Sequence, residues 1–146
     1  MQLWEPPATD PSYRVPVADV EEAVRQACRR WDVREIAADP FRWTRTLQAL
    51  DAERLPVVEF PQSPQRMTPA TTALFEAVVN RQVTHSGDPR LARHVADAVV
   101  KEDARGTRLA KGTITRRIDL AVAVVMAYDR ARQNGTGDYD ILQSVW

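Results

Sequence analysis

Cysteine occurs once in the 146 residues, at Cys28. That excludes an internal disulfide framework and a cysteine-based zinc site, fits a reducing compartment, and leaves packing as the expected role of that side chain. Glycine is scarce as well: none of the five lies in a Gly-Lys-Ser/Thr arrangement, so a phosphate-binding loop of that kind is excluded. No stretch reaches the ~18 consecutive apolar residues that a membrane-spanning helix needs. The opening Met-Gln-Leu-Trp-Glu-Pro-Pro lacks the layout of a secretory signal, and the expectation is a cytoplasmic protein with no membrane partner. An excess of one charge sign is missing too, because 20 basic residues balance 20 acidic ones. Net charge therefore predicts no polyanionic partner, and any nucleic-acid footprint has to be local. The two histidines, His85 and His94, fall on different predicted elements without zinc-ligand spacing, so structural hydrogen bonding is expected of both. Neither Ser63 nor Ser86 sits in a nucleophile-elbow pattern, which discards a serine hydrolase triad.

What the chain does contain is a 44% hydrophobic, 27% charged composition, enough for one domain with a real core. Gln2 to Glu5 reads as a strand-like piece running into Pro6, Pro7, Pro11 and Pro16, an edge strand followed by an extended connection. Val17 to Trp31 has a helical period, with Val20, Ala23, Val24, Ala27 and Cys28 on one stripe. A short strand over Val33 to Ala38 should end at Asp39-Pro40, because proline disfavours helical geometry in the residue before it. Helical spacing resumes over Phe41 to Ala52, and Leu55 to Phe60 is a compact apolar strand. Thr68-Pro69 and Asp88-Pro89 each carry the signature of a cap followed by proline at the first helical position. Between and after those helices, Gln82 to Thr84, Ala98 to Lys101 and Arg108 to Ala110 read as short strands, the last two around a turn at Arg105-Gly106. Thr115 is the expected cap of a long helix, Arg116 to Gln133, with an apolar face of Ile118, Ala121, Val122, Val125 and Met126, closed by Asn134-Gly135. Trp31 and Trp43 are expected to anchor the core. Strands alternating with helices of three or four turns predict an α/β layered fold, with a domain over residues 1–134 and a tail over 135–146 that either docks or stays loose.

Three features can carry chemistry. Asp39 stands at the predicted carboxyl end of a strand, where open α/β sheets bind ligands; the plainer alternative is that it caps the following helix. Asp119 lies in the first turn of the last helix, where the dipole favours a carboxylate, yet it borders the apolar stripe, and a carboxylate so placed calls for a cation or a metal. Arg105, Arg108, Lys111, Arg116 and Arg117 form a basic run without an acid among them, suited to a phosphate backbone and equally consistent with a solvated face. Trp31 and Trp43 at helical spacing favour packing over base stacking.

The motifs Leu3-Trp4-Glu5-Pro6, Tyr13-Arg14-Val15-Pro16, Asp39-Pro40-Phe41-Arg42-Trp43, Val57-Val58-Glu59-Phe60-Pro61-Gln62 and Met67-Thr68-Pro69 are similar to those of phage terminase large subunits. His85 to Val99, and Lys111 followed by Arg117-Ile118-Asp119-Leu120-Ala121-Val122-Ala123, continue the similarity in the family's order across residues 3 to 131. Each motif is short; their order is what is specific. The resemblance implies a ribonuclease H-like nuclease fold with a mixed sheet and flanking helices. It also implies a two-metal site for Mg²⁺ or Mn²⁺ that cuts concatemeric double-stranded DNA during genome packaging. Asp39 would match the family's second acid and Asp119 its last, both as metal ligands and catalytic residues, and Arg108, Lys111, Arg116 and Arg117 would hold DNA. Carboxylate oxygens suit such hard cations. Double-stranded DNA, the other terminase subunits and the portal are the implied partners, in a bacterial host cell.

Two departures follow from the same comparison. The family's first catalytic aspartate comes from a central strand upstream of Leu3-Trp4-Glu5-Pro6, and the packaging ATPase lies further upstream. The expectation is a partial nuclease domain, incomplete at its amino end, as a piece of a longer protein, a prophage remnant or a split gene product. Full two-metal catalysis needs a third acid, so weak or absent cutting is expected of this chain alone. An inactive DNA- or protein-binding remnant of the same fold is the alternative, and a sheet lacking its central strand invites a homodimer through the exposed edge. A smaller departure is Asp97, where the family often has asparagine. A third class, an unrelated small-molecule enzyme, would need an apolar pocket distant from Asp39 and Asp119.

Overall fold

A computed structural model describes residues 2–7, 9–10, 12–104, 106–113 and 116–135. Arg105 of the basic run, the expected cap Thr115, and the tail with Tyr139, Ile141, Leu142 and Trp146 lie outside the described residues. The chain forms two compact units, Met1–Glu59 and Phe60–Trp146.

The first unit is built on a strand–helix–strand crossover. Helix α1 (Val17–Arg30) follows the predicted period, and its stripe of Val20, Ala23, Val24, Ala27 and Cys28 is half-buried. Strand β1 (Ile36–Ala38) and strand β2 (Val57–Glu59) pair in parallel, Ile36 opposite Val57 and Ala38 opposite Glu59. Parallel pairing needs a crossover connection, and α2 (Thr44–Ala52) supplies it. Its inward residues Leu47 and Leu50 are the buried apolar side chains of this unit among the described residues. Arg25 of α1 clasps Glu53, just past α2, through two nitrogens at 2.8 and 2.6 Å. That pairing lowers the Glu53 carboxyl and raises the Arg25 guanidinium from their ordinary values.

In the second unit, α3 (Pro64–Val79) packs against the last strand and the last helix, and α4 (Pro89–Ala96) against that same helix. Strands β3 (Ala98–Asp103) and β4 (Gly106–Lys111) form an antiparallel hairpin with Val100 opposite Leu109. Helix α5 (Asp119–Asn134) closes the unit. Phe60, Met67, Ala70, Ala77, Ile118, Ala121, Val125 and Met126 are buried and form its core. Gly106 turns the hairpin at φ +116, a conformation that L side chains rarely adopt, and a Cβ there would stand 3.1 Å from Cγ2 of Thr68 on α3.

The α/β alternation holds, and both strand polarities are present, but among the described residues they are divided between two two-stranded sheets. Several local expectations change. Gln2 to Glu5 and Gln82 to Thr84 are not strands; Pro6 and Pro7 remove backbone donors beside the first. Helix α3 begins at Pro64, after Ser63, and carries Pro69 inside it. Ser63-Pro64 and Thr68-Pro69 offer the same start signal, and the upstream one takes effect, putting Thr68, Ala70 and Thr71 on a buried face. Helix α5 starts at Asp119, so Arg116 and Arg117 precede it. Trp31 is 58% exposed, with Arg30 stacked 4.9 Å from its ring, and anchors no core; Trp43 is half-buried.

Candidate functional site

Asp39 occupies the position its sequence context predicts, the carboxyl end of β1. It is half-buried, and one carboxylate oxygen accepts the Phe41 N–H at 3.1 Å. This bond closes a turn, whereas helix α2 begins three residues further on, with Trp43 at its cap position. The side chain therefore shapes the turn without capping the helix. The turn forces Arg42 into the left-handed region at φ 65, uncommon for a residue with a Cβ. Glu59 ends the neighbouring strand opposite Ala38 and is exposed. A second acid at the same carboxyl end was not singled out from the sequence; the parallel pairing, which only the fold supplies, is the signal that finds it.

Asp119 is the first residue of α5, preceded by Ile118 at the cap position. Its carboxylate is exposed, with no side-chain partner among the described residues. It lines a cavity of about 320 Å³ together with Gln62, Arg108, Lys111, Val122 and Met126. Arg108 lies on β4 and Lys111 ends it. The hairpin and the start of α5 thus bring two of the sequence-predicted cations to the same cavity as the predicted acid. Lys111 is exposed and makes no ion pair among the described residues. A cavity bordered by a carboxylate at a helix amino terminus and by two basic side chains suits a phosphate group bridged by a cation. It is not the remote apolar pocket that a small-molecule enzyme would need.

Arg116 is committed elsewhere, since its Nη1 meets Oδ1 of Asp97 at 2.6 Å. Asp97 follows α4 as its carboxyl cap residue, so the pair ties the segment before α5 to the end of α4. Arg117 is half-buried. Neither Gln62, from the Val57 to Gln62 motif, nor Met126, from the apolar face of the last helix, is a site residue by sequence; the Gln62 amide donates to the Met126 sulfur at 3.8 Å on the cavity wall. Both histidines make the structural hydrogen bonds expected: His85 Nδ1 accepts from Gly87 N, and His94 Nδ1 accepts from Leu120 N. Asp39 belongs to the first unit, and Asp119 with Arg108 and Lys111 to the second.

A family model described as terminase large subunit, endonuclease domain, matches residues 9–135. The chain belongs to that family. The terminase large subunit of Enterobacteria phage HK97 is 34% identical over 140 residues, covering 92% of this chain and 27% of that protein. The crystal structure of the HK97 bacteriophage large terminase resembles it with a TM-score of 0.71 at 32% identity, over 80% of this chain and 25% of that one. This likeness carries the ribonuclease H-like α/β fold expected of a terminase nuclease domain. Among the described residues no helix is long and apolar enough to cross a membrane.

Proposed function

We propose that this chain is part of the metal-dependent endonuclease of a phage DNA-packaging terminase, hydrolysing phosphodiester bonds of concatemeric double-stranded DNA. Asp39 and Asp119 are its metal ligands, and Arg108, Lys111 and Arg117 its contacts to the DNA backbone; Arg116 would join them only by leaving its pair with Asp97. The observation supporting this most directly is the Asp119 carboxylate, without a side-chain partner, on a cavity it shares with Arg108 and Lys111 in a chain of the terminase nuclease family.

The donor chemistry fits Mg²⁺ or Mn²⁺, which prefer carboxylate oxygens. Asp119 offers both of its oxygens; Asp39 keeps one for the Phe41 amide and offers the other. Among the described residues no group of three or more acids, histidines or cysteines stands close enough to hold an ion by itself. In this proposal the two acids are part of a larger ligand set. When bound, such ions activate a water and stabilise the leaving oxygen. The protein's own residues do the rest: Lys111 and Arg108 draw the phosphate toward Asp119, and the strand end and helix start hold the carboxylates in place. Double-stranded DNA, the other terminase subunits and the portal are the partners, in the cytoplasm of a bacterial host.

The test is a calorimetric titration of Mn²⁺ into the wild type and into Asp39→Ala combined with Asp119→Ala. Binding that the double variant loses is the expected result; identical heats would remove both acids as metal ligands. Salt-dependent duplex binding without any metal binding would instead favour an inactive DNA-binding form of the same fold.

A further inference from the structure

The first turn of an α-helix leaves its N–H groups without partners inside the helix. At α5 the cap residue is Ile118, whose side chain accepts nothing. Leu120, one residue into the helix, is 7% exposed, so an unpaired amide there would lose its hydration without compensation. The acceptor comes from a different helix: Nδ1 of His94, on α4 and fully buried, takes the Leu120 N–H at 3.0 Å. A ring nitrogen that accepts carries no proton, which assigns the ring hydrogen to Nε2.

The peptide unit held in this way is the one joining Asp119 to Leu120. Because that unit is planar and includes the Asp119 Cα, holding its N–H restrains where that Cα stands and so where the Asp119 carboxylate is presented. The geometry points to His94 as a positioning residue: a buried imidazole on α4 that aims the Asp119 carboxylate into the cavity lined by Arg108 and Lys111. No other side chain among the described residues caps this amide, and the Asp97–Arg116 ion pair, also at the end of α4, fixes the chain just before it. Two contacts from one helix thus bracket the start of α5. The functional consequence rests on Asp119 being a metal ligand, as proposed above, whereas the orientation of its side chain can be measured with no metal present.

The experiment is nuclear magnetic resonance on the full ¹⁵N-labelled chain, with Mn²⁺ alone as the ligand probe. In the wild type, a scalar coupling between the Leu120 amide nitrogen and His94 Nδ1, a protected Leu120 amide and a single Asp119 side-chain rotamer are expected. His94→Asn keeps an acceptor near the place of Nδ1 and should retain the protection and the rotamer. His94→Leu fills the space with an apolar group that accepts nothing; it should expose the Leu120 amide, average the Asp119 rotamers and weaken Mn²⁺ by about tenfold, the lower end for losing an outer-shell partner. An unchanged Asp119 rotamer and Mn²⁺ affinity in His94→Leu would overturn the assignment. So would absence of the coupling in the wild type, a result that stands even if the leucine variant does not fold. If Mn²⁺ binds equally to wild type and Asp119→Ala, the metal site is wrong, and the coupling and rotamers still decide whether His94 aims Asp119.

Discussion

At the scale of single residues, the acids of this chain differ in how they are held. Asp88 accepts the Arg90 amide at 2.8 Å and is clasped by the Arg90 guanidinium at 2.7 Å. The guanidinium first, and the amide second, bring its carboxyl down from the ordinary 3.8 to about 2. A depressed carboxyl stabilises the fold above its unfolded value and loses that contribution as pH falls through its folded one. Asp88→Ala should therefore lower the thermal midpoint at pH 7, and the gap to the wild type should close between about pH 4 and pH 2, measured by circular dichroism. A gap that stays constant over that window would mean that the cap acts through packing alone. Asp119 differs: its carboxylate is exposed and has no side-chain partner among the described residues.

At the scale of elements, the short hairpin carries more of the site than its size promises. Strand β4 presents Arg108 and Lys111, and its register against β3 depends on a turn that passes through Gly106 at φ +116, close against Thr68. Gly106→Ala adds a methyl group where both the backbone and the neighbouring helix resist it. It should cost on the order of 1–3 kcal/mol, read by urea denaturation, together with loss of protection of the β3–β4 amides. A stability within error of the wild type would show that α3 yields at Thr68. Helix α5 makes the complementary point. Its apolar face was legible from spacing, but its start was not: the expected cap was a nearby threonine, and the group that satisfies Leu120 is a histidine 26 positions away.

For the molecule as a whole, a formal net charge of zero leaves the proposed DNA affinity to the placement of a few cations. Lys111, exposed on the cavity it shares with Asp119 and without an ion pair among the described residues, is expected to release a counterion on binding DNA. Lys111→Ala should weaken duplex binding evenly across sequences and lower the slope of log K against log salt by about 0.9. Arg29→Ala, on α1 and paired with Glu22, should leave that slope unchanged. Equal slopes for wild type and Lys111→Ala would remove Lys111 from the interface. The family match extends across both compact units, and the chain spans 27% of its HK97 relative.

The features settled by sequence alone are those decided within a few neighbouring residues. The period of α1 and α5, the Asp88-Pro89 start of α4 and the strand ending before Asp39-Pro40 each follow from local sterics and the spacing of apolar side chains. The order of short motifs, which needs no coordinates, placed the chain in its family. Folding alone decided which groups meet across the chain: Arg116 with Asp97, His94 with the Leu120 amide, and Asp119 with Arg108 and Lys111 around one cavity. Local pattern assigns a residue to a helix, a strand or a turn. Which distant side chain satisfies a buried amide, or shares a cavity with a carboxylate, depends on how the elements pack, and no spacing along the chain encodes that.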